Sequence, residues 1–179
     1  MERAEFQKVL NGPQSAALRH VFMAERAAQK IAGIERHTPV RDIASVGIVG
    51  AGTMGTGIAI AFLDAGYPVT IIDRNENALE AGRARITGDF ERRVSRGRLS
   101  QDKADAAISA LDMATGIEAL AKADLIIEAV FEDLSLKQEI FRQIGAIAAD
   151  GAIAADGAIL ATNTSFPVSY THLTLPTKA

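Results

Sequence analysis

Three glycines in the sequence have the spacing of a phosphate-binding turn. Gly50, Gly52 and Gly55 form the pattern G-x-G-x-x-G between a run of residues that predicts a buried strand and a run that predicts a buried helix. The first glycine permits a tight turn, the second lets a pyrophosphate approach the backbone, and the third lets the helix pack closely on the strand. The N–H groups that begin the helix then face the anion. We predict that this turn binds a dinucleotide through Gly50, Ala51, Gly52, Thr53, Met54 and Gly55.

An acidic residue stands where a dinucleotide site needs one. Asp73 ends the second predicted strand, 23 residues after Gly50, and its carboxylate can accept hydrogen bonds from ribose hydroxyls. A carboxylate there repels a 2′-phosphate, so NAD is favoured over NADP. The adjacent Arg74 could contact adenine or weaken that discrimination. The alternative interpretation is that the turn is only a tight connection and that Asp73 is only a strand-ending or helix-capping carboxylate, with no ligand at either.

The elements that must position these residues alternate between strand and helix. Alternating apolar strands and helices predict a parallel sheet covered on both faces, an α/β fold of the doubly wound Rossmann type. The predicted strands are 45–50, 69–73, 111–115, 125–130 and 158–162. The predicted helices are 53–65, a long one capped by Asn75 and ending near Gly97, one from Ser100 to about 110, a short one at 117–122, and one from about 134.

A helical arm precedes this sheet. Residues 2–32 have helical spacing with a break at 11–13, after which Ser15 is a candidate N-cap, and Gly33 is the predicted end. We predict three segments: a helical arm and polar linker at 1–42, a dinucleotide-binding domain at 43–167, and a non-native tail at 168–179. The six residues 145–150 recur at 151–156, which predicts a lengthened connection or an assembly error.

Composition excludes several classes of function. The chain has 179 residues and a net charge of −3, so it lacks the excess of Lys and Arg that a nucleic-acid surface needs. It has no cysteine, which excludes disulfides, zinc–thiolate sites and thiol catalysis, and no metal site is predicted. The uncharged stretch 43–63 is interpreted as strand, turn and helix rather than a membrane span. A cytoplasmic location is expected.

Three segments together resemble the NAD-binding domain of L-3-hydroxyacyl-CoA dehydrogenases. They are V-G-I-V-G-A-G-T-M-G-T-G-I-A at 46–59, A-D-L-I-I-E-A-V-F-E-D at 123–133 and A-T-N-T-S at 161–165. Residues 14–32 are similar to the linker helix that precedes this domain in multifunctional β-oxidation enzymes, downstream of an enoyl-CoA hydratase domain. The chain is therefore expected to be an internal fragment of such an enzyme, without the family's C-terminal helical domain.

The resemblance implies roles for further residues. By it, Val130, Glu132 and Lys137 lie near the ribose and nicotinamide, and Asn163 lies beside the nicotinamide. Ser165 would hydrogen-bond the 3-oxygen of the substrate, as a catalytic and substrate-binding residue, and Arg96 would contact coenzyme A. The alternatives are a solvated Glu–Lys pair at a helix start, an Asn-Thr-Ser turn, and a solvated arginine face.

The resemblance also implies chemistry that this chain cannot complete. The family needs a His to take the hydroxyl proton while hydride passes to the nicotinamide. None of His20, His37 and His172 has the family's His-aromatic-aromatic-Asn-Pro setting. We expect NAD binding without turnover, and an oligomeric parent that acts on acyl-CoA. A non-catalytic NAD-binding regulatory module, or the cofactor domain of another hydroxy-acid dehydrogenase, remain as alternatives.

Overall fold

The computed structural model describes residues 2–28, 30–35, 37–149 and 158–164. The chain divides into two compact units, Met1–Arg41 and Asp42–Ala179. The second copy of the hexapeptide, Ser165, His172 and the predicted tail at 168–179 lie outside the described residues. The domain boundaries predicted at 42 and 167 stay predictions.

The first unit contains two helices, α1 (Glu2–Asn11) and α2 (Pro13–Ala28). Proline suits the first position of α2 because its missing N–H would have no partner inside the helix. Ser15 therefore lies within α2, where its hydroxyl accepts a hydrogen bond from Arg19 at 2.6 Å, and its prediction as an N-cap is wrong. The helix predicted to reach Gly33 ends at Ala28.

The second unit is a five-stranded parallel sheet with helices between its strands. Its elements are β1 (Val46–Val49), α3 (Thr53–Asp64), β2 (Val69–Ile72), α4 (Glu76–Ser95), α5 (Gln101–Ser109), β3 (Leu111–Ala114), a 3₁₀ turn (Ile117–Leu120), β4 (Leu125–Glu128), α6 (Leu134–Ala149) and β5 (Ile159–Thr162). The strand order is β3-β2-β1-β4-β5. The predicted doubly wound α/β fold is confirmed, and each strand is one or two residues shorter than its prediction.

Capping residues explain where the longest helix begins and ends. The Asn75 side chain accepts hydrogen bonds from the N–H groups of Asn77 and Ala78, as predicted, and Gly97 adopts a φ of 66° just beyond the last turn. The predicted cap of α5 is only half right. Ser100 occupies the N-cap position, but its side chain makes no capping hydrogen bond.

Apolar residues cover the sheet on both faces. One cluster packs α3, α4 and α5 on the sheet through residues such as Ile48, Ile71 and Phe90. The other packs α6 and the 3₁₀ turn against the opposite face. The uncharged stretch 43–63 contains β1, the turn and most of α3, as predicted. In the described part of the chain, no helix is both long and apolar enough to cross a membrane.

Candidate cofactor site

The strand order locates a binding crevice. The chain moves from β1 outwards to β2 and β3, then crosses back to β4 and β5, so the direction of winding reverses between β1 and β4. In open α/β sheets, ligands bind outside the carboxyl ends of the strands at this switch point. The G-x-G-x-x-G turn follows β1 directly and therefore lies at the crevice.

The turn between β1 and α3 requires two of its glycines. Gly50 has a φ of 110°, and a Cβ on it would lie 2.7 Å from the Ala129 carbonyl oxygen. A Cβ on Gly55 would lie 1.9 Å from the Gly50 carbonyl oxygen. Any side chain at either position would push α3 away from the sheet.

The third glycine faces open space. Gly52 is the N-cap of α3 and has no side chain to accept hydrogen bonds from the first turn of the helix. A Cβ on Gly52 would meet nothing within 4 Å, and Thr53 and Met54 are exposed. The N–H groups at the start of α3 are thus directed at free volume that a pyrophosphate can occupy.

Asp73 is hydrogen-bonded to the glycine turn and to the start of α4. Its carboxylate accepts hydrogen bonds from the Ala51 N–H at 2.9 Å and from the Asn75 N–H at 3.0 Å. Each carboxylate oxygen can accept more than one hydrogen bond, so both oxygens retain capacity for ribose hydroxyls. Asp73 therefore holds the turn in shape and remains available to a ligand.

A cavity of about 320 Å³ opens beside the turn and Asp73. Gly50, Gly52, Asp73 and Val130, all predicted site residues, line it together with Arg74. Its other lining residues, mostly apolar, are Val49, Ile72, Thr115, Ile117, Ala129, Phe131, Leu136, Glu139, Ile140 and Gln143. The open turn and the cavity fit the phosphates and adenosine of a dinucleotide.

A second group of polar residues lies at the carboxyl ends of β4 and β5. Glu128 has 0% and Lys137 has 1% of its surface exposed. The Lys137 ammonium lies 2.8 and 3.0 Å from the two carboxylate oxygens of Glu128, and 2.7 Å from the Thr164 hydroxyl. Glu132 is more distant, at 3.6 Å from the Lys137 Nζ, and is 38% exposed. The interpretation of Glu132 and Lys137 as a solvated pair is therefore wrong for Lys137.

Glu128 has further partners that complete a closed network. Its carboxylate accepts hydrogen bonds from the Val130 N–H at 2.7 Å and the Thr162 hydroxyl at 2.6 Å. The hydroxyls of Thr162 and Thr164 lie 2.7 Å apart. Within the described ranges, no buried side-chain nitrogen or oxygen lacks a hydrogen-bond partner. We call Glu128, Lys137, Thr162 and Thr164 the buried network.

Sequence reasoning missed three members of the buried network. Glu128 and Thr162 are predicted only as strand residues, and Thr164 only as the middle residue of the Asn-Thr-Ser motif. One signal was available: a single carboxylate inside the apolar run L-I-I-E-A-V must find a partner if the strand is buried. The run does not say which cation provides it.

Asp133 caps the first turn of α6, and its carbonyl oxygen accepts a hydrogen bond from the Lys137 N–H at 3.0 Å. The Asp133 carboxylate accepts hydrogen bonds from the Ser135 hydroxyl at 2.6 Å and the Leu136 N–H at 2.8 Å. These bonds lower the pKa of Asp133, the Ser135 hydroxyl contributing most. The Asp133 carboxylate therefore stays negatively charged at the start of α6, where it interacts favourably with the positive end of the helix dipole.

The remaining predicted residues are placed differently. Asn163 is exposed, and its N–H donates to the Glu128 carbonyl oxygen at 2.8 Å, which extends the β4–β5 pairing. Arg96 is exposed at the C-terminal end of α4. A Cβ on Gly82 of the same helix would lie 3.2 Å from the Ala51 carbonyl oxygen, and at 1.5 Å per residue Arg96 lies roughly 20 Å farther along the axis. The structure does not bring Arg96 to the turn.

Comparison with known proteins agrees with this geometry. Residues 45–177 match the family described as 3-hydroxyacyl-CoA dehydrogenase, NAD binding domain. The chain belongs to this family. Its domain is accordingly an NAD-binding domain, and the enzymes that carry it are NAD-dependent dehydrogenases.

Curated relatives extend the 3-hydroxyacyl-CoA dehydrogenase resemblance into the arm. The glyoxysomal fatty acid beta-oxidation multifunctional protein MFP-a of Cucumis sativus is 36% identical over 165 residues, which cover 92% of this chain and 22% of that protein. The human peroxisomal bifunctional enzyme is 36% identical over 168 residues, with the same coverage of 92% and 22%. The chain thus spans about a fifth of the length of these relatives.

Two solved structures illustrate the shared fold. FadB2 of M. tuberculosis aligns with a TM-score of 0.65 and 39% identity, over 70% of this chain and 42% of that one. The 3-hydroxybutyryl-CoA dehydrogenase of Escherichia coli aligns with a TM-score of 0.64 and 33% identity, over 70% of this chain and 25% of that one.

Proposed function

We propose that this chain is the cofactor-binding part of an enzyme that oxidises L-3-hydroxyacyl-CoA to 3-oxoacyl-CoA in fatty-acid β-oxidation. One observation supports this most directly. An open glycine turn with a carboxylate bonded to it lies at the switch point of a sheet whose family is the 3-hydroxyacyl-CoA dehydrogenases. The names of the relatives, which are β-oxidation multifunctional proteins, supply the pathway.

Each predicted residue has a definite role in this proposal. Within the turn at 50–55, the N–H groups at the start of α3 bind the pyrophosphate, and Asp73 accepts hydrogen bonds from the adenosine ribose. Val130, Glu132, Lys137 and Asn163 lie on the nicotinamide side, and Ser165 binds the 3-oxygen of the substrate. Bound NAD supplies the hydride acceptor.

The acyl-CoA substrate, an oligomeric parent and the contact between Arg96 and coenzyme A belong to the same proposal. A variant Arg96→Ala of the whole enzyme would raise KM for acyl-CoA and leave the affinity for NAD unchanged.

The cytoplasmic location stays a prediction, and the peroxisomal and glyoxysomal names of the relatives favour a different compartment. Fluorescence microscopy of the tagged protein distinguishes the two compartments.

The chain is proposed to bind NAD without turning over substrate. Removal of the hydroxyl proton needs a base at the reacting carbon. None of the chain's three histidines has the sequence setting of the family's catalytic His. An assay with 3-hydroxybutyryl-CoA and NAD that produced NADH would contradict this proposal.

Calorimetric titration of NAD and NADP into the whole chain tests the cofactor assignment. We expect saturable binding of NAD, much weaker binding of NADP, and a loss of about tenfold in NAD affinity for Asp73→Ala, which removes a charged acceptor. Circular dichroism of each protein verifies that it is folded. A folded protein that binds neither nucleotide would overturn the proposal.

A further inference from the structure

The buried network lies on one particular side of the crevice. Asp73 follows β2, on one side of β1, whereas Glu128 and Thr162 end β4 and β5, on the other side. In this fold a dinucleotide spans the crevice with its pyrophosphate at the glycine turn. If the adenosine lies towards Asp73, the nicotinamide half faces the ends of β4 and β5.

We propose that Glu128 is a positioning residue for the nicotinamide half of NAD. It acts by holding the backbone after β4, the first turn of α6 and the segment after β5 in one fixed arrangement. The inference rests on the proposed function, because it presumes that NAD occupies the crevice.

The contacts of Glu128 reach three separate elements. Its carboxylate accepts from the Val130 N–H just after β4, from Lys137 on α6 and from Thr162 at the end of β5. All three N–H donors of Lys137 are used, two by Glu128 and one by Thr164. The Glu128 carboxylate therefore binds the side chain before Asn163 directly, through Thr162, and the side chain after it through Lys137, which donates to Thr164.

Burial shows that Glu128 acts through other residues. It is 0% exposed, so its carboxylate does not reach a ligand in the crevice. Its neighbours are accessible where Glu128 is not: Val130 lines the cavity beside the glycine turn, Asn163 is exposed and Glu132 is partly exposed. A buried ion pair adds little net stability compared with apolar residues of similar volume, so packing alone does not explain it. Holding a defined arrangement does explain it.

The test compares two ligands on the whole chain. ADP contains the adenosine and pyrophosphate groups and lacks the nicotinamide riboside. For Glu128→Gln, which keeps the shape and removes the charge, we expect the Kd for NAD to rise about tenfold and the Kd for ADP to change less than about twofold. A residue that only stabilised the fold would weaken both ligands together.

Asp64→Asn is the matched control. It also converts a carboxylate with two contacts to a cation into an amide, because Asp64 binds Arg93 at 2.7 and 2.9 Å. Asp64 ends α3, about 18 Å along the helix from the glycine turn. We expect Asp64→Asn to change the Kd of neither ligand.

Thr162→Val is a milder variant that decides the matter if Glu128→Gln does not fold. It removes one hydroxyl donor to Glu128 and keeps the side-chain shape, and we expect a threefold loss for NAD alone, on the order of a weakened hydrogen bond. Equal losses for NAD and ADP in folded variants, or no loss for either, would overturn the inference. A wild-type chain that binds neither ligand would instead overturn the proposed function, and the inference with it.

Discussion

The two sides of the crevice use different chemical groups: backbone N–H groups on one side and polar side chains on the other. On the turn side, the backbone N–H groups at the start of α3 face open space next to Gly52, and Gly50 and Gly55 allow close backbone contacts that a side chain would prevent. On the β4–β5 side, the Glu128 carboxylate and the Lys137 ammonium are buried, and two partly buried threonine hydroxyls complete their hydrogen bonding. The turn side depends on the absence of side chains at its glycines. The β4–β5 side depends on the ion pair between Glu128 and Lys137.

This difference determines which kind of substitution disrupts each side of the crevice. An added methyl group at Gly50 or Gly55 disrupts the turn side, since there is no space for it at these two positions. A lost charge breaks the buried network, since the remaining partner is left uncompensated in a place that water cannot reach. The following variants measure each kind of failure separately.

The largest effect is expected for Lys137→Met in the buried network. It leaves the Glu128 carboxylate buried without its cation, which costs about 3–5 kcal/mol of unfolding free energy. Urea unfolding of the whole chain measures this value. The double variant Glu128→Gln/Lys137→Met leaves no unpaired charge and should be more stable than Lys137→Met alone. A double variant as unstable as the single one would contradict the assignment of an ion pair.

The next effect is expected at Gly55 on the turn side. Gly55→Ala places a Cβ against the Gly50 carbonyl oxygen and should lower the unfolding free energy by about 3 kcal/mol, with loss of NAD binding. Gly57→Ala is the control, because a Cβ on this exposed residue of α3 meets nothing within 4 Å. The control should gain about 0.5–1 kcal/mol, since alanine is the better helix former. Equal effects of the two variants would show that the close approach at Gly55 is unimportant.

A smaller effect, confined to binding, is expected at Gly52. Gly52→Ala adds a methyl group to the open space that the pyrophosphate would occupy, and stability should change by less than about 1 kcal/mol. Affinities for NAD and ADP should both fall by about tenfold, as measured by calorimetry. This pattern differs from that of Glu128→Gln, in which NAD alone is affected. Unchanged ADP binding would place the pyrophosphate elsewhere.

The smallest effect is expected at the amino ends of β1 and β4, at the other end of these strands from the crevice. The Asp124 carboxylate accepts hydrogen bonds from the Ala44 and Ser45 N–H groups, both at 2.9 Å, which lower its pKa, with Ala44 contributing most. Because the folded-state pKa is depressed, this stabilisation is present above the unfolded value near pH 4 and is lost as the pH falls through the folded value.

Asp124→Asn should therefore reduce the fall in melting temperature below about pH 4 and leave NAD affinity at neutral pH unchanged. Thermal melts over an acidic pH series measure the first effect and calorimetry the second. Identical acid profiles for wild type and variant would show that Asp124 is not part of the acid sensitivity.

Much of the fold was predictable from local pattern. The strands, the doubly wound sheet and the Asn75 cap follow from apolar runs and capping residues that neighbours in sequence define. Ser15 shows the limit of such reasoning, because Pro13 begins the helix three residues before the position that an N-cap at Ser15 predicts. The site was predictable where it is made of consecutive residues, as at 50–55.

The sequence alone determined the turn side, because a glycine pattern after a strand and an acidic residue at the end of the next strand specify that geometry locally. Only the tertiary structure decided the buried network. Lys137 and Thr162 lie 9 and 34 residues from Glu128, and the parallel pairing of β4 with β5 and the return of α6 bring them together. A buried charge requires a partner, and the sequence states that need without stating which residue meets it.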